Sequence, residues 1–375
     1  MDFDTRAIHT GQAPDPQTGA VAVPIYQTST YAQKAVGEYE YDYARTRNPT
    51  RDALQECLAS LEGAAHGLAF ASGMAASTTV MHLVDPGQRV VCVNDVYGGT
   101  YRLFSKVYEP KGYRFTYLSA DQCNTELAEH LGDDTTLVWL ETPTNPLLNI
   151  VDLRAAAEAA HAAGAIVVVD NTFASPYLQR PLEHGADIVV HSTTKYLGGH
   201  SDLVGGFAAT SDAGLAERLA FLQNSLGGVP GPFDAWLVLR GLKTLGVRMR
   251  AHCENAARVV AFLQDHPAVE RVLYPGLPDH PGHDIANRQM DGFGGMVSFL
   301  APSEDEAVAL VARTRIWTLA ESLGGVESLI EHPGRMTHAS TADSAFATPA
   351  NLVRLSAGIE SAADLIADLD QALRG

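Results

Sequence analysis

Short apolar runs recur along the first part of the chain, near residues 67–71, 90–94, 115–118, 137–141, 166–170, 187–191 and 206–209. Helical stretches such as 152–163 lie between them, the run from Ala155 to Ala163 being strong helix-forming sequence. Strands without a polar face belong inside a sheet covered on both sides, and their alternation with helices predicts an α/β layer on a mostly parallel sheet. Ahead of this layer, residues 1 to about 48 show no clear period and carry Gly, Pro and Tyr, the pattern of an extended arm. Thr50 is placed to cap a helix in which Leu54, Leu58 and Leu61 share one face. Beyond the layer, Gly227-Gly228-Val229-Pro230-Gly231-Pro232 is a loop by composition, and one long helical pattern follows to about 265. A second, smaller α/β unit is then predicted, with strands near 269–274, 295–300 and 316–319 and helices near 304–313 and 361–373. Ser361, with Asp364 three residues on, resembles a capping box. The division expected is an arm over 1–48, a large domain over 49–245 and a small C-terminal domain over 246–375.

Composition bounds what this frame can do. With 375 residues, 46% of them hydrophobic, the chain exceeds one ordinary domain, in keeping with two. A net charge of −18 argues against nucleic acid or an anionic membrane as partner, although local amides and a few arginines can still hold a phosphorylated small molecule. Cys57, Cys92, Cys123 and Cys253 are far apart and form no metal-like or redox pair, as expected of free thiols in a reducing cytoplasm. The N-terminus begins acidic and lacks an apolar core, so no secretory leader is expected, and no stretch approaches a membrane span. His280 and His283 have no third ligand nearby and follow Pro278, so no metal is assigned.

The candidate chemistry sits at strand ends. The run from Ala186 to Tyr196 delivers Lys195 into a turn of small hydroxyl residues, where an amine with few neutralising partners is a candidate for a lowered pKa and Schiff-base chemistry. The preceding run, Ile166-Val167-Val168-Val169, ends in Asp170. An amine and a carboxylate at the same sheet edge match the needs of pyridoxal phosphate: a group that attaches to its aldehyde, and an anion that keeps the pyridine nitrogen protonated. Upstream, Ala71-Ser72-Gly73-Met74-Ala75 reads as a tight turn opening a helix, whose backbone amides suit a phosphate.

These stretches, with Tyr43-Ala44-Arg45-Thr46-Arg47-Asn48-Pro49, Asp95-Val96-Tyr97-Gly98-Gly99, Glu141-Thr142-Pro143-Thr144-Asn145-Pro146 and Glu321-Ser322-Leu323-Gly324-Gly325, are similar over essentially the whole length to the Cys/Met-metabolism family of pyridoxal-phosphate enzymes. The resemblance implies the type I fold of aspartate aminotransferase-like enzymes. It implies that Lys195 and Tyr97 are catalytic, with Tyr97 stacked on the cofactor ring. Ser72, Gly73, Met74, Ser192 and Thr194 would hold the phosphate, with Tyr43 and Arg45 reaching in from a neighbouring subunit, while Asp170 and Thr172 would serve the ring. Arg354 would grip the substrate carboxylate beside Asn145 and Ser322, with Thr337 also at the substrate. The resemblance further implies a homotetramer, a dimer of active-site-sharing dimers.

For the reaction, the resemblance leaves several readings. Methionine γ-lyases carry cysteine where this chain has Gly99, which counts against that activity. Glu321 and Glu331 together look most like a cystathionine γ-lyase, with Glu321, Asp42 and Arg102 placed to meet the distal end of cystathionine. A cystathionine γ-synthase or a broader methionine or homocysteine γ-lyase is the alternative. A cofactor reservoir or regulatory protein would not need Arg354, Tyr97 and the acidic rim, and a nicotinamide oxidoreductase would need a Gly-x-Gly-x-x-Gly turn that is missing here.

Overall fold

The computed structural model describes residues 1–338 and 348–375. The apolar runs form β1 (His66–Phe70), β2 (Arg89–Val93), β3 (Arg114–Leu118), β4 (Thr135–Glu141), β5 (Ile166–Asp170), β6 (Ile188–Ser192) and β7 (Gly206–Thr210). They build one sheet in the order β1-β7-β6-β5-β4-β2-β3. The strands from β2 to β6 pair in parallel, and β7 runs antiparallel to both β6 and β1. Helices cover both faces, which is why the strands carry no polar side. On β7, Ala208 enters a core with Trp139 and Val169, while Phe207 and Ala209 enter the opposite core with Leu54 and Leu58.

The C-terminal part adds β8 (Arg271–Leu273), β9 (Met296–Leu300), β10 (Thr318–Leu319), β11 (Leu329–Glu331) and β12 (Leu352–Ser356), in the order β10-β11-β12-β9-β8. Phe299, Val353 and Leu355 pack with Leu365 and Leu369 of the last helix. The helix Leu245–Gln264 ties the two sheets together: Leu245 and Met249 lie in a core of the large sheet, Val259 and Leu263 in that of the small one. Among the described residues, no helix is long and apolar enough to cross a membrane.

Several local expectations are corrected. The helix Pro49–Glu62 is capped by Asn48, whose side chain accepts from the Thr50 and Arg51 amides; Pro49 occupies the first turn, so the cap falls one residue ahead of it. Ser361 makes no side-chain capping bond. The long pattern reaching 265 is two helices, Pro232–Leu242 and Leu245–Gln264. The arm contains a seven-residue helix, Phe3–His9, too short to show a period. Docking holds it in place, with Ala7 buried and Phe3 edge-on to Tyr177 at 5.2 Å.

Candidate active site

Parallel strands all point one way, so the large sheet delivers the ends of β2, β4, β5 and β6 to one edge. There a cavity of about 310 Å³ opens between the two sheets. Glu141 and Asp170 are cross-strand neighbours at this edge, with Val190 beside Asp170. Asp170 Oδ1 accepts from the Thr172 amide at 3.0 Å and the Thr172 hydroxyl at 2.5 Å. The same hydroxyl accepts from the Ser192 amide at 2.9 Å, locking β5 to β6. Burial raises the Asp170 carboxyl above its ordinary range, and the two Thr172 donors oppose that shift.

Lys195 follows β6 through a tight turn. Its Nζ donates to Ser322 Oγ at 2.6 Å. Burial first, and repulsion from Arg354 second, bring the amine down to about 8, against the pull of Glu331 and Glu321. Ser322 lies at φ 89°, a left-handed conformation costly for a side-chain-bearing residue, and one that tends to occur where function demands the geometry.

Arg354 comes from β12. At 2% exposure it would be expensive without partners, and it has three. Nη1 donates to Asn145 Oδ1 at 2.7 Å, Nη2 donates to the Ser322 carbonyl at 3.0 Å, and Nη2 also meets Glu331 Oε1 at 3.0 Å. Glu331 and Arg354 face each other in register across β11 and β12, and the Thr337 hydroxyl donates to the same carboxylate at 2.8 Å.

At the other end of the cavity begins the helix Gly73–Met81. Ser72 Oγ accepts from the Ala75 amide at 3.0 Å, while the first-turn amides of Gly73 and Met74 have no acceptor within the helix. A Cβ at Gly73 would sit 3.0 Å from that of Ser192, so the glycine keeps the cradle open beside the Ser192 hydroxyl. The site thus offers an anion cradle, a buried carboxylate and an amine of lowered pKa around one cavity. These residues fit pyridoxal phosphate.

Of the residues expected from sequence, Ser72, Gly73, Met74, Tyr97, Asp170, Thr172, Ser192, Thr194 and Lys195 line the cavity. So do Asn145, Glu321, Ser322, Thr337 and Arg354. Glu331 stands behind that lining instead of on a rim, 1% exposed, because its register places it against Arg354. Asp42, Tyr43, Arg45 and Arg102 do not line this cavity. Asp42 accepts from the Tyr43 amide at 2.7 Å, and Arg45 donates to the Asn224 side chain at 2.9 Å. Arg102 is exposed at the end of the short helix Gly98–Arg102.

Sequence reasoning missed two features. Glu141 lies in a quoted motif but received no role. The buried Glu62 and His191 contact each other, and His191 in turn lowers the Asp170 carboxyl by its charge. These two residues are 129 positions apart, and nothing local in the sequence links them. The His280 and His283 rings are engaged by backbone, at the Gly282 amide and the Pro275 carbonyl.

The lowered Lys195 has a pH signature. Since only the free amine attacks a carbonyl, capture of pyridoxal phosphate by the stripped protein should accelerate about tenfold per pH unit below pH 8 and level off above it. Visible absorbance after mixing measures this rate. A flat profile from pH 6 to 9 would contradict it.

A family model described as Cys/Met metabolism PLP-dependent enzyme matches residues 4–374. The chain is 57% identical over 373 residues to a cystathionine gamma-synthase of Mycobacterium tuberculosis, covering 98% of this chain and 96% of that protein. It is 52% identical over 375 residues to a cystathionine gamma-lyase of Dictyostelium discoideum, covering 98% and 97%. The crystal structure of metB from Corynebacterium glutamicum superimposes with a TM-score of 0.98 at 49% identity, covering 100% of this chain and 98% of that one.

Proposed function

The chain belongs to the Cys/Met metabolism PLP-dependent enzyme family, and within it we propose that it cleaves the Cγ–S bond of L-cystathionine, releasing cysteine, 2-oxobutanoate and ammonia. The observation that carries this reading is the convergence of an amine and a carboxylate grip. Lys195 Nζ and Arg354 Nη2 both bond to Ser322, one at its hydroxyl and the other at its carbonyl. When bound, pyridoxal phosphate supplies an aldehyde for the substrate amine and a ring that accepts the electron pair left at Cα. Lys195 takes the Cα proton and carries it onward, and the Ser322 hydroxyl aims its Nζ. Arg354, held flat by Asn145, binds the α-carboxylate and so sets which Cα bond faces the lysine. Asp170 would hold a proton on the ring nitrogen, and Tyr97 would cover the ring.

Glu321, lining the cavity next to Ser322, is the acid placed to meet the distal ammonium of cystathionine. Glu331 is paired with Arg354 and is the poorer candidate for that task. A second reading, γ-replacement by cysteine on an activated homoserine ester, is favoured by the 57% identity to the mycobacterial synthase. Initial rates separate the two. We expect 2-oxobutanoate release from cystathionine to exceed cystathionine formation from O-acyl-homoserine and cysteine, and Glu321→Ala to shift that ratio by about tenfold or more. A ratio favouring formation would transfer the assignment to the second reading.

The assembly proposed is a homotetramer whose dimers share sites. In support, the only lysine and arginine among the described residues lining the cavity are Lys195 and Arg354, which meet at Ser322 and not at the cradle. Arg45 from another copy would supply the missing charge. Mixing Arg45→Ala with Lys195→Ala subunits is then expected to recover about a quarter of the wild-type activity, since half the dimers hold one complete site. No recovery in verified mixed oligomers would refute shared sites. A cytoplasmic setting is part of this proposal, supported by four unpaired thiols.

A further inference from the structure

The segment that presents Tyr97 is clamped from two sides. Ahead of it, Asp95 Oδ2 gathers the turn at 144–149, accepting from the Thr144 hydroxyl and from the Leu147 amide and Asn149 side chain, each at 3.2 Å. At Tyr97 itself, the backbone N–H donates to Glu141 Oε2 at 2.8 Å. Glu141 is the last residue of β4, is 3% exposed and lines the cavity. The ring of Tyr97 folds against Gly99 so closely that a Cβ there would lie 2.3 Å from Cε1. The ring is therefore stopped on that side, and its placement follows the backbone at Tyr97.

We infer that Glu141 is a positioning residue of this site, anchoring the Tyr97 backbone so that the ring stands over the cofactor. This rests on the reading of Tyr97 as the stacking ring, and it is independent of which sulfur chemistry the enzyme performs.

The electrostatics explain why an acid can serve here. Burial first, and the charge of Asp170 second, push the Glu141 carboxyl well above the usual range; Asp95 adds to this, while the Tyr97 amide and Arg354 oppose it. Two donors from Thr172 favour charge on Asp170, whereas among the described residues Glu141 has the single Tyr97 amide. The negative charge therefore stays on Asp170, where the ring nitrogen needs it, and Glu141 keeps its proton. A neutral acid accepts the Tyr97 N–H through one oxygen, a task that glutamine performs equally well.

The test compares holoenzymes carrying Glu141→Gln, Glu141→Leu and Tyr97→Ala by the visible circular dichroism that bound pyridoxal phosphate acquires, and by kcat and KM. Glu141→Met, flexible and of similar volume, replaces the leucine variant if that one fails to fold. Glu141→Gln should stay within about twofold of wild type in every readout. Glu141→Leu should lose about tenfold in kcat with KM within about threefold, and its dichroism should move toward that of Tyr97→Ala. Wild-type dichroism and kcat in the leucine or methionine variant would overturn the inference, as would a glutamine variant as impaired as the leucine one. Unchanged dichroism in Tyr97→Ala would instead overturn the reading of Tyr97, and the inference with it.

Discussion

Lys195→Ala is expected to lower turnover of cystathionine by about four orders of magnitude, because the variant loses both the group that attaches to the cofactor and the base at Cα. The geometry separates this loss from a folding defect. Among the described residues Nζ bonds only to Ser322 Oγ, at the surface of a preformed cavity, and Asp170, Thr172 and the cradle are built without it. The variant should therefore still bind pyridoxal phosphate, while borohydride treatment no longer leaves the cofactor's mass on the chain. Turnover at the original rate would remove the basis of the whole assignment.

Arg354→Leu should have the second largest effect, and on two quantities at once. The KM for cystathionine is expected to rise about 100-fold, as when one partner of a buried, charge-assisted contact is lost. Stability at neutral pH should fall by about 3–5 kcal/mol, since Glu331 is left buried without its cation. Burial already raises the Glu331 carboxyl, and Arg354 is the first of the influences that hold it down. Without Arg354 the carboxyl rises further, so the stability deficit is full where Glu331 is ionised in the folded protein. It shrinks as pH falls and the buried acid takes a proton. Urea titrations at pH 5.5 and 8 measure this difference. Arg354→Leu with Glu331→Leu should regain most of the stability but none of the KM. A deficit that grows toward acid pH would show that the pair is not its source.

The chemistry at strand ends was legible because it is local. Asp170 ends an unbroken apolar run and Lys195 follows another within five residues, so each residue's neighbours announce its position. The contacts that tune these groups are not local. Ser322 is 127 residues from Lys195, and its left-handed backbone leaves no compositional mark. Glu331 shows how resemblance can give the right neighbourhood and the wrong partner: the register of β11 on β12 turns a presumed rim acid into the counter-ion of Arg354. The helix Phe3–His9 escaped notice for a related reason, as docking stabilises it more than its own period does.

The position of β1 in the sheet has a consequence for the birth of the molecule. β1, which leads into the phosphate cradle, pairs with β7 from His66↔Thr210 to Phe70↔Gly206, and reaches β6 only through that strand. On the ribosome, a nascent chain that has exposed Asp170 and Lys195 still has no partner for β1 until residue 210 has emerged. The first strand of the sheet must wait for the last. The turn that opens the phosphate cradle is thus seated in the sheet only once its last strand has docked.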